Sequence, residues 1–244
     1  MKIVLCQIDS AWEDRTESAN RVQTLSPLLP PGADLLVFPE MTLTGFSMNR
    51  EATSLTSDDH RVFTRLSETS GAAVLYGGVE DGCNRLFLAE GPGHRALYSK
   101  RHLFTFGGEP GVYEAGESAP VVEVRGVRFG LAICYDLRFA YHFWENAARV
   151  DAYLTIANWP TARREHWNTL LRARAIENQA YMVGVNRVGS DPNLTYTGDS
   201  AIFGPLGEQI LVCGPDQGSY CAELDPTHTT AVREKFQFLD DRQS

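Results

Sequence analysis

No stretch of this sequence stays apolar for long. The opening run, MKIVLCQIDSAWED, meets Asp9 within a few residues and Glu13 soon after, which is too short for a signal-peptide core or a membrane span. A cytoplasmic protein with no membrane partner is expected. Positive charge is scarce too: 22 Lys and Arg stand against 31 Asp and Glu, a formal net charge of −9, with no basic cluster to offset the balance. Nucleic acid is excluded as a partner, because a phosphate backbone needs a concentrated basic face.

Cysteine is present in an odd number, five (Cys6, Cys83, Cys134, Cys213 and Cys221), and no two are spaced C-x-x-C. That suits neither a disulfide framework nor a zinc site, so free thiols are expected. Missing as well are a G-x-S-x-G elbow, a phosphate-binding G-x-x-x-x-G-K-[ST] loop, a G-x-G-x-x-G turn and an H-E-x-x-H pair. The six histidines are scattered, and only His102 stands near other polar residues at a strand end. Metal chemistry and a histidine-activated nucleophile are therefore not favoured. Asn193-Leu194-Thr195 matches a glycosylation sequon, which carries no weight without export.

What is there reads as one α/β domain over residues 1–244, with 43% hydrophobic residues to build a large core. Short β-branched runs (KIVLCQI, DLLVF, AAVLYGGV) alternate with helical segments over Thr16–Leu29 and Ser57–Ser70. RLFLAE and HRALYS follow at hairpin spacing about Gly91-Pro92-Gly93. Arg101 to Pro120 is irregular, with four glycines and two prolines, and a loop of that length in a compact domain tends to be functional. The alternation then resumes: VRFGLAIC, a helix near Tyr141–Arg149, AYLTIA, a helix near Thr161–Asn178, and YMVGVNRV. SAIFGP, EQILVC and GSYCAEL precede a short helix after Pro226. Helices on one side of strands that form many hairpins suggest a sheet-on-sheet sandwich with the helices outside.

Three strand ends carry polar residues: DLLVFPE ends at Glu40, HRALYSK at Lys100, and GLAIC at Cys134. A residue there is held by the rigid sheet while it faces the open edge where ligands bind. A thiolate to attack a carbonyl, a carboxylate to carry protons and an ammonium to stabilise an oxyanion make a complete set for acyl transfer. Pro39 fixes the chain just before Glu40. The other four cysteines read as structural, and Glu177 and Asn178 as partners of Arg172 or Arg174. The run FAYHFW reads as a helix face packed into the core or into a dimer interface.

The ordered motifs VFPEMTLTGF, YSKRHLF and ICYDLRF resemble the Glu, Lys and Cys motifs of the nitrilase superfamily of carbon-nitrogen hydrolases. The resemblance runs from IVLCQID to about FGPLGEQIL. The segments ANWPTARREHW and RARAIENQAYMVGVNRVGSD are similar to the omega-amidase branch, whose members hydrolyse the side-chain amide of 2-oxo acids such as 2-oxoglutaramate. The resemblance implies a four-layer α-β-β-α sandwich that forms a homodimer and uses no metal or cofactor on a small-molecule amide. It makes Cys134 the nucleophile, Glu40 the general base and Lys100 the oxyanion stabiliser. A second glutamate is expected in EPGVYEAGE, where Glu109 is preferred and Glu114 and Glu117 compete. The Tyr135 backbone N–H would share the oxyanion with Lys100. Asn158 and Trp159 would line the pocket, and an arginine would hold the 2-oxo carboxylate. Arg138, Arg163 and Arg164 are the choices; Arg163 is preferred, because Arg138 lies close enough to Asp136 to pair with it. Within the family the rivals are a deaminated-glutathione amidase, an N-carbamoyl hydrolase and a true nitrilase, and outside it a catalytically silent binding module. Tyr135-Asp136 after the cysteine differs from the Trp-Glu usual in true nitrilases.

Overall fold

Most of the strands are apolar on both faces, and the architecture follows from that. A computed structural model describes residues 1–242. In chain order the strands are β1 (Lys2–Gln7), β2 (Leu35–Val37), β3 (Ala73–Glu80), β4 (Cys83–Glu90), β5 (Gly93–Ser99), β6 (Val121–Val124), β7 (Val127–Ile133), β8 (Ala152–Ala157), β9 (Tyr181–Asn186), β10 (Val188–Ser190), β11 (Thr195–Thr197), β12 (Ala201–Phe203), β13 (Gln209–Val212) and β14 (Gly218–Glu223). The helices are α1 (Arg15–Leu25), α2 (Arg50–Thr53), α3 (Ser57–Ser70), α4 (Ala140–Trp144), α5 (Arg164–Asn178) and α6 (Pro226–Lys235).

The strands form two six-stranded sheets, β14-β1-β2-β3-β4-β5 and β13-β12-β9-β8-β7-β6, and β10 with β11 makes a separate ribbon. Alternate residues of a strand point to opposite faces. Ile3 and Leu5 of β1 therefore enter a core with Leu35, Val37 and Leu75 of the first sheet and Leu131, Ile133 and Ile156 of the second. Their neighbours Val4 and Cys6 pack outward against α1 and α3 through Val22, Leu25, Phe63 and Leu66. On the far side Ala132, Tyr153 and Met182 meet Trp167, Leu171 and Ala175 of α5. The result is an α-β-β-α sandwich, as expected.

Three expected elements are shorter than their runs. The first helix stops at Leu25, and Pro27 sits in a single 3-10 turn, Ser26–Leu28. The helix expected near Tyr141–Arg149 ends at Trp144 and resumes only as a 3-10 turn at Ala147–Arg149. YMVGVNRV breaks at Arg187, whose buried guanidinium donates to Asp9 Oδ1 and the Ser10 carbonyl, both at 2.8 Å.

Strands β1, β2 and β3 are parallel, as are β7, β8 and β9. The β3-β4-β5 meander turns the chain twice, so β5 runs in the direction of β3. The C-terminal ends of β2, β5, β7 and β8 thus open at one edge of the sandwich.

Candidate active site

Beyond Val37 the chain turns at once through Phe38, Pro39 and Glu40, and Met41 adopts φ +45°. This turn lies directly on β3: Thr42 N–H donates to the Gly77 carbonyl at 3.0 Å and Gly77 N–H to that of Pro39 at 3.3 Å. A Cβ at Gly77 would fall 2.7 Å from Glu40 Cα, so the close approach requires glycine there. Glu40 is fully buried.

Lys100, one residue past β5, is also fully buried. Its Nζ lies 2.9 Å from Glu40 Oε1 and 2.9 Å from Glu109 Oε2, a cation held between two carboxylates. Glu109 is brought inside by two 3-10 turns, Thr105–Gly107 and Glu109–Gly111, and its Oε2 accepts from Phe104 N–H at 2.6 Å. Glu114 and Glu117 are exposed, so of the three competing glutamates only Glu109 reaches Lys100. Asn84 of β4 completes the cluster, its Nδ2 donating to Glu40 Oε1 at 2.8 Å and Glu109 Oε1 at 3.0 Å.

Cys134 stands at the end of β7 with φ +47°, a left-handed conformation that is costly for a residue with a Cβ. The chain is held there by Asp136, two residues into a 3-10 turn (Cys134–Arg138). Its buried carboxylate accepts from Ile133 N–H at 2.8 Å, Tyr98 Oη–H at 2.8 Å and His102 N–H at 2.9 Å. His102 Nδ1 lies 2.7 Å from the same carboxylate. Cys134 Sγ faces the Asn158 carbonyl at 4.0 Å, while Asn158 N–H donates to Glu40 Oε2 at 2.9 Å. Asn158 at the end of β8 therefore links the thiol to the carboxylate.

Over the thiol lies a pocket of about 500 Å³ walled by aromatic residues, among them Trp12, Phe46, Phe104, Trp159 and Tyr196. Cys134, Tyr135, Arg138, Asn158, Trp159 and Arg163 all line it, whereas Glu40, Lys100 and Glu109 are fully buried, and Glu40 meets the lining through Asn158 N–H.

The sequence matches the carbon-nitrogen hydrolase family over residues 2–234. The chain belongs to that family. The omega-amidase YafV of Escherichia coli (strain K12) is 39% identical, with 99% of this chain and 96% of the relative covered. The 2-oxoglutaramate amidase of Bacillus subtilis (strain 168) is 30% identical over 96% of this chain and 95% of its own. Among solved structures, XC1258 of Xanthomonas campestris, a CN-hydrolase superfamily protein with an arsenic adduct in its active site, superposes with TM-score 0.92. It is 33% identical, and the match covers 100% of this chain and 97% of that one.

In this carbon-nitrogen hydrolase the charges at the edge are strongly coupled. Burial, followed by the nearby Glu40 carboxylate, pushes the Cys134 thiol well above the usual range, and Lys100 only partly opposes them. Burial alone would lower Lys100, but Glu40 and Glu109 overcome it and keep the ammonium charged. Asp136 ends below the usual carboxylate range: burial would raise it, and the hydrogen bond from His102, with His142 and Ile133 N–H, outweighs that. Burial and Glu40 thus work against a free thiolate at Cys134, while the same carboxylate helps to hold the Lys100 ammonium.

Two expectations about this hydrolase need correcting. Arg138 is not held by Asp136; it stacks 4.7 Å over the Trp159 ring, with Nη2 at 3.3 Å from His166 Nδ1. Arg164 is no free clamp, because Nη2 pairs with Asp199 Oδ1 at 2.6 Å. Arg163 lies 5.6 Å over the Phe104 ring at the pocket wall. Asn84 and Asp136 were not recognised as part of the cluster. An asparagine in a hairpin strand, CNRLFLAE, was the one available signal for Asn84.

Proposed function

We propose that this enzyme is an omega-amidase, hydrolysing the terminal amide of short 2-oxo-dicarboxylic acid monoamides, 2-oxoglutaramate and 2-oxosuccinamate, to the acid and ammonia. The observation that carries the reading is the juxtaposition at the sheet edge. A thiol forms part of the pocket wall, a buried Glu-Lys-Glu cluster is linked to it through Asn158, and two arginines with no carboxylate partner among the described residues stand on the wall. The relatives named above support the choice of substrate.

In the cycle, Cys134 Sγ attacks the amide carbonyl while Glu40 takes its proton. Burial and the Glu40 carboxylate disfavour a free thiolate, so in this cycle deprotonation accompanies attack. Lys100 Nζ and the Tyr135 N–H stabilise the oxyanion; the N–H groups of the first turn of a helix have no intrahelical partner. Collapse breaks the C–N bond, Glu40 passes its proton to the amine, and ammonia leaves a thioester on Cys134. Glu40 then deprotonates a water that attacks the thioester, the thiolate is reprotonated, and the acid departs. Glu109 and Asn84 hold Lys100 and Glu40 in register throughout. No metal or cofactor has a part in this cycle.

The same reading makes the enzyme a cytoplasmic homodimer. It is consistent with the absence, among the described residues, of any helix long and apolar enough to cross a membrane. Tyr141 and Trp144 of α4 and Ile176 of α5 are about half exposed, which supports pairing through that face.

The test is ammonia release across 2-oxoglutaramate, 2-oxosuccinamate, deaminated glutathione, N-carbamoyl amino acids and simple nitriles, with Cys134→Ala as the control. Release from the two short 2-oxo amides by the wild type, and none by a folded Cys134→Ala, is expected. Preference for an N-carbamoyl amino acid or a nitrile overturns the assignment. One observation favours a second reading, deaminated-glutathione amidase: the pocket of about 500 Å³ is larger than a five-carbon acid fills.

A further inference from the structure

Away from the pocket, one cluster of ligating side chains holds a buried imidazole nitrogen whose nearest polar neighbour is a carboxylate at the long distance of 3.3 Å. On the outer face of the first sheet, His60 of α3, Glu80 at the end of β3 and His94 at the start of β5 bring one ligand atom each within 4.8 Å of the others. His60 is only 3% exposed. Its Nδ1 lies 2.7 Å from Tyr76 Oη, which fixes the ring, and its Nε2 makes no well-formed hydrogen bond among the described residues, only a long ion-pair contact with Glu80. A buried polar atom left in that state is costly. Glu80 Oε1 lies 3.3 Å from it. Two donors each about 2.0–2.1 Å from a tetrahedral zinc ion are about 3.3–3.4 Å apart, so the His60–Glu80 spacing is that of two ligands on one ion.

We propose that His60 Nε2, Glu80 Oε1 and His94 form a site for a divalent first-row transition cation, zinc best matching two imidazoles and one carboxylate. The outer contacts suit this. In the tautomer whose Nδ1–H donates to Tyr76 Oη, Nε2 presents its lone pair outward, and Arg85 Nη1 donates to Glu80 Oε2 at 2.9 Å, leaving Oε1 for the ion. His94 is exposed and stacks on His60 with centroids 4.1 Å apart. Ligation by His94 requires its ring to turn out of this stack so that a nitrogen faces the same point, with water as the fourth ligand. The three ligands belong to three elements, so the ion would fasten α3 to the β3-β5 meander. A second His-Asp-His group, His102, Asp136 and His142, also holds a buried unpartnered nitrogen, His142 Nδ1, but both His102 nitrogens and both Asp136 oxygens are already hydrogen-bonded, whereas Glu80 Oε1 has only the long contact to His60.

The experiment is calorimetric titration of the EDTA-treated enzyme with zinc chloride, on wild type, His94→Ala and Glu80→Gln. Wild type should bind one equivalent with a micromolar or lower Kd, and both variants should lose about tenfold or more in affinity. Its Tm should rise by about 5–10 °C at zinc about 100 times the Kd. Cobalt(II) should give the visible absorption of a tetrahedral site in the wild type and not in His94→Ala. His94 is exposed, so that variant keeps its fold and its ammonia release. No binding by wild type at millimolar zinc, or equal affinity in His94→Ala, overturns the proposal. So does a single binding event that blocks ammonia release equally in wild type and His94→Ala, since that places the zinc on Cys134.

Discussion

Glu40 has two opposite effects on the thiol beside it. In the proposed cycle it accepts the proton, yet as a buried anion it also raises the thiol's pKa. Glu40→Gln should therefore abolish ammonia release and at the same time speed alkylation of Cys134 by iodoacetamide near neutral pH, because the thiolate becomes easier to form and Lys100 loses a neutralising partner. Parallel measurement of both rates checks this; a fall in both would mean that Glu40 only shapes the site. The arginines are decided by a similar split. Arg138→Met or Arg163→Met, whichever removes the carboxylate clamp, should raise KM for 2-oxoglutaramate by the equivalent of about 2–5 kcal/mol while sparing a neutral amide of similar length. Equal losses on both substrates in steady-state assays would assign that arginine to the fold. The mistaken pairing of Arg138 with Asp136 has a simple cause: residues two apart in a helical turn do not face each other. Asp136 instead turns under the strand and Arg138 turns out over Trp159. Glu40, Lys100 and Cys134 were legible because each stands at the end of a strand run, in a motif order that matches the family. Asn84 was not, since a lone asparagine in a hairpin strand looks the same whether it faces water or a buried ion pair.

Among the elements, the short turn after β7 bears the most on chemistry. Cysteine carries no sequence signal for a positive φ, so the conformation of Cys134 could not be read in advance; it is imposed by the four contacts Asp136 makes to Ile133, Tyr98 and His102. Asp136→Asn, which changes one acceptor oxygen into a donor, should lower kcat far more than it raises KM. The variant also has a pH signature. Asp136 titrates below its unfolded value of about 3.9, so its stabilisation is complete above that value and disappears as pH falls through the depressed one. Denaturant unfolding of Asp136→Asn should accordingly depend less steeply on pH than the wild type below about pH 4. A kcat unchanged by the substitution would show that the turn holds itself. Helix α3, by contrast, was legible to the residue: Thr56 and Asp59 form a capping box at its start and Gly71 closes it at φ +74°, and caps of this kind are written in residue type.

For the whole molecule, the two-sheet arrangement was visible in strands that form many hairpins and carry helices on one side, since the uncovered faces must then pack on each other. Assembly is a different matter. The half-exposed Tyr141 and Trp144 sit in the run FAYHFW, whose Phe143 is buried, and a periodic pattern cannot tell a face covered by its own chain from one covered by a copy. Trp144→Glu should convert a homodimer into monomers in sedimentation velocity with no change in far-UV circular dichroism; a wild type already monomeric at micromolar concentration would dispose of the dimer.

Glu40 and Lys100 hang from one sheet, Cys134 and Asn158 from the other, and at the open edge Asn158 hydrogen-bonds Glu40 across the divide. The gap between base and nucleophile is therefore set by the thickness of the apolar layer between the sheets, where Leu75 and Val37 meet Ile133 and Ile156. Close-packed interiors are stiff but not rigid, and a cavity or thermal swelling in that layer moves one half of the machinery against the other by tenths of an ångström. Catalytic geometry tolerates little more than that. Turnover in such an enzyme works as a calliper on its own core, falling as the sheets part while every strand is still hydrogen-bonded to its neighbours.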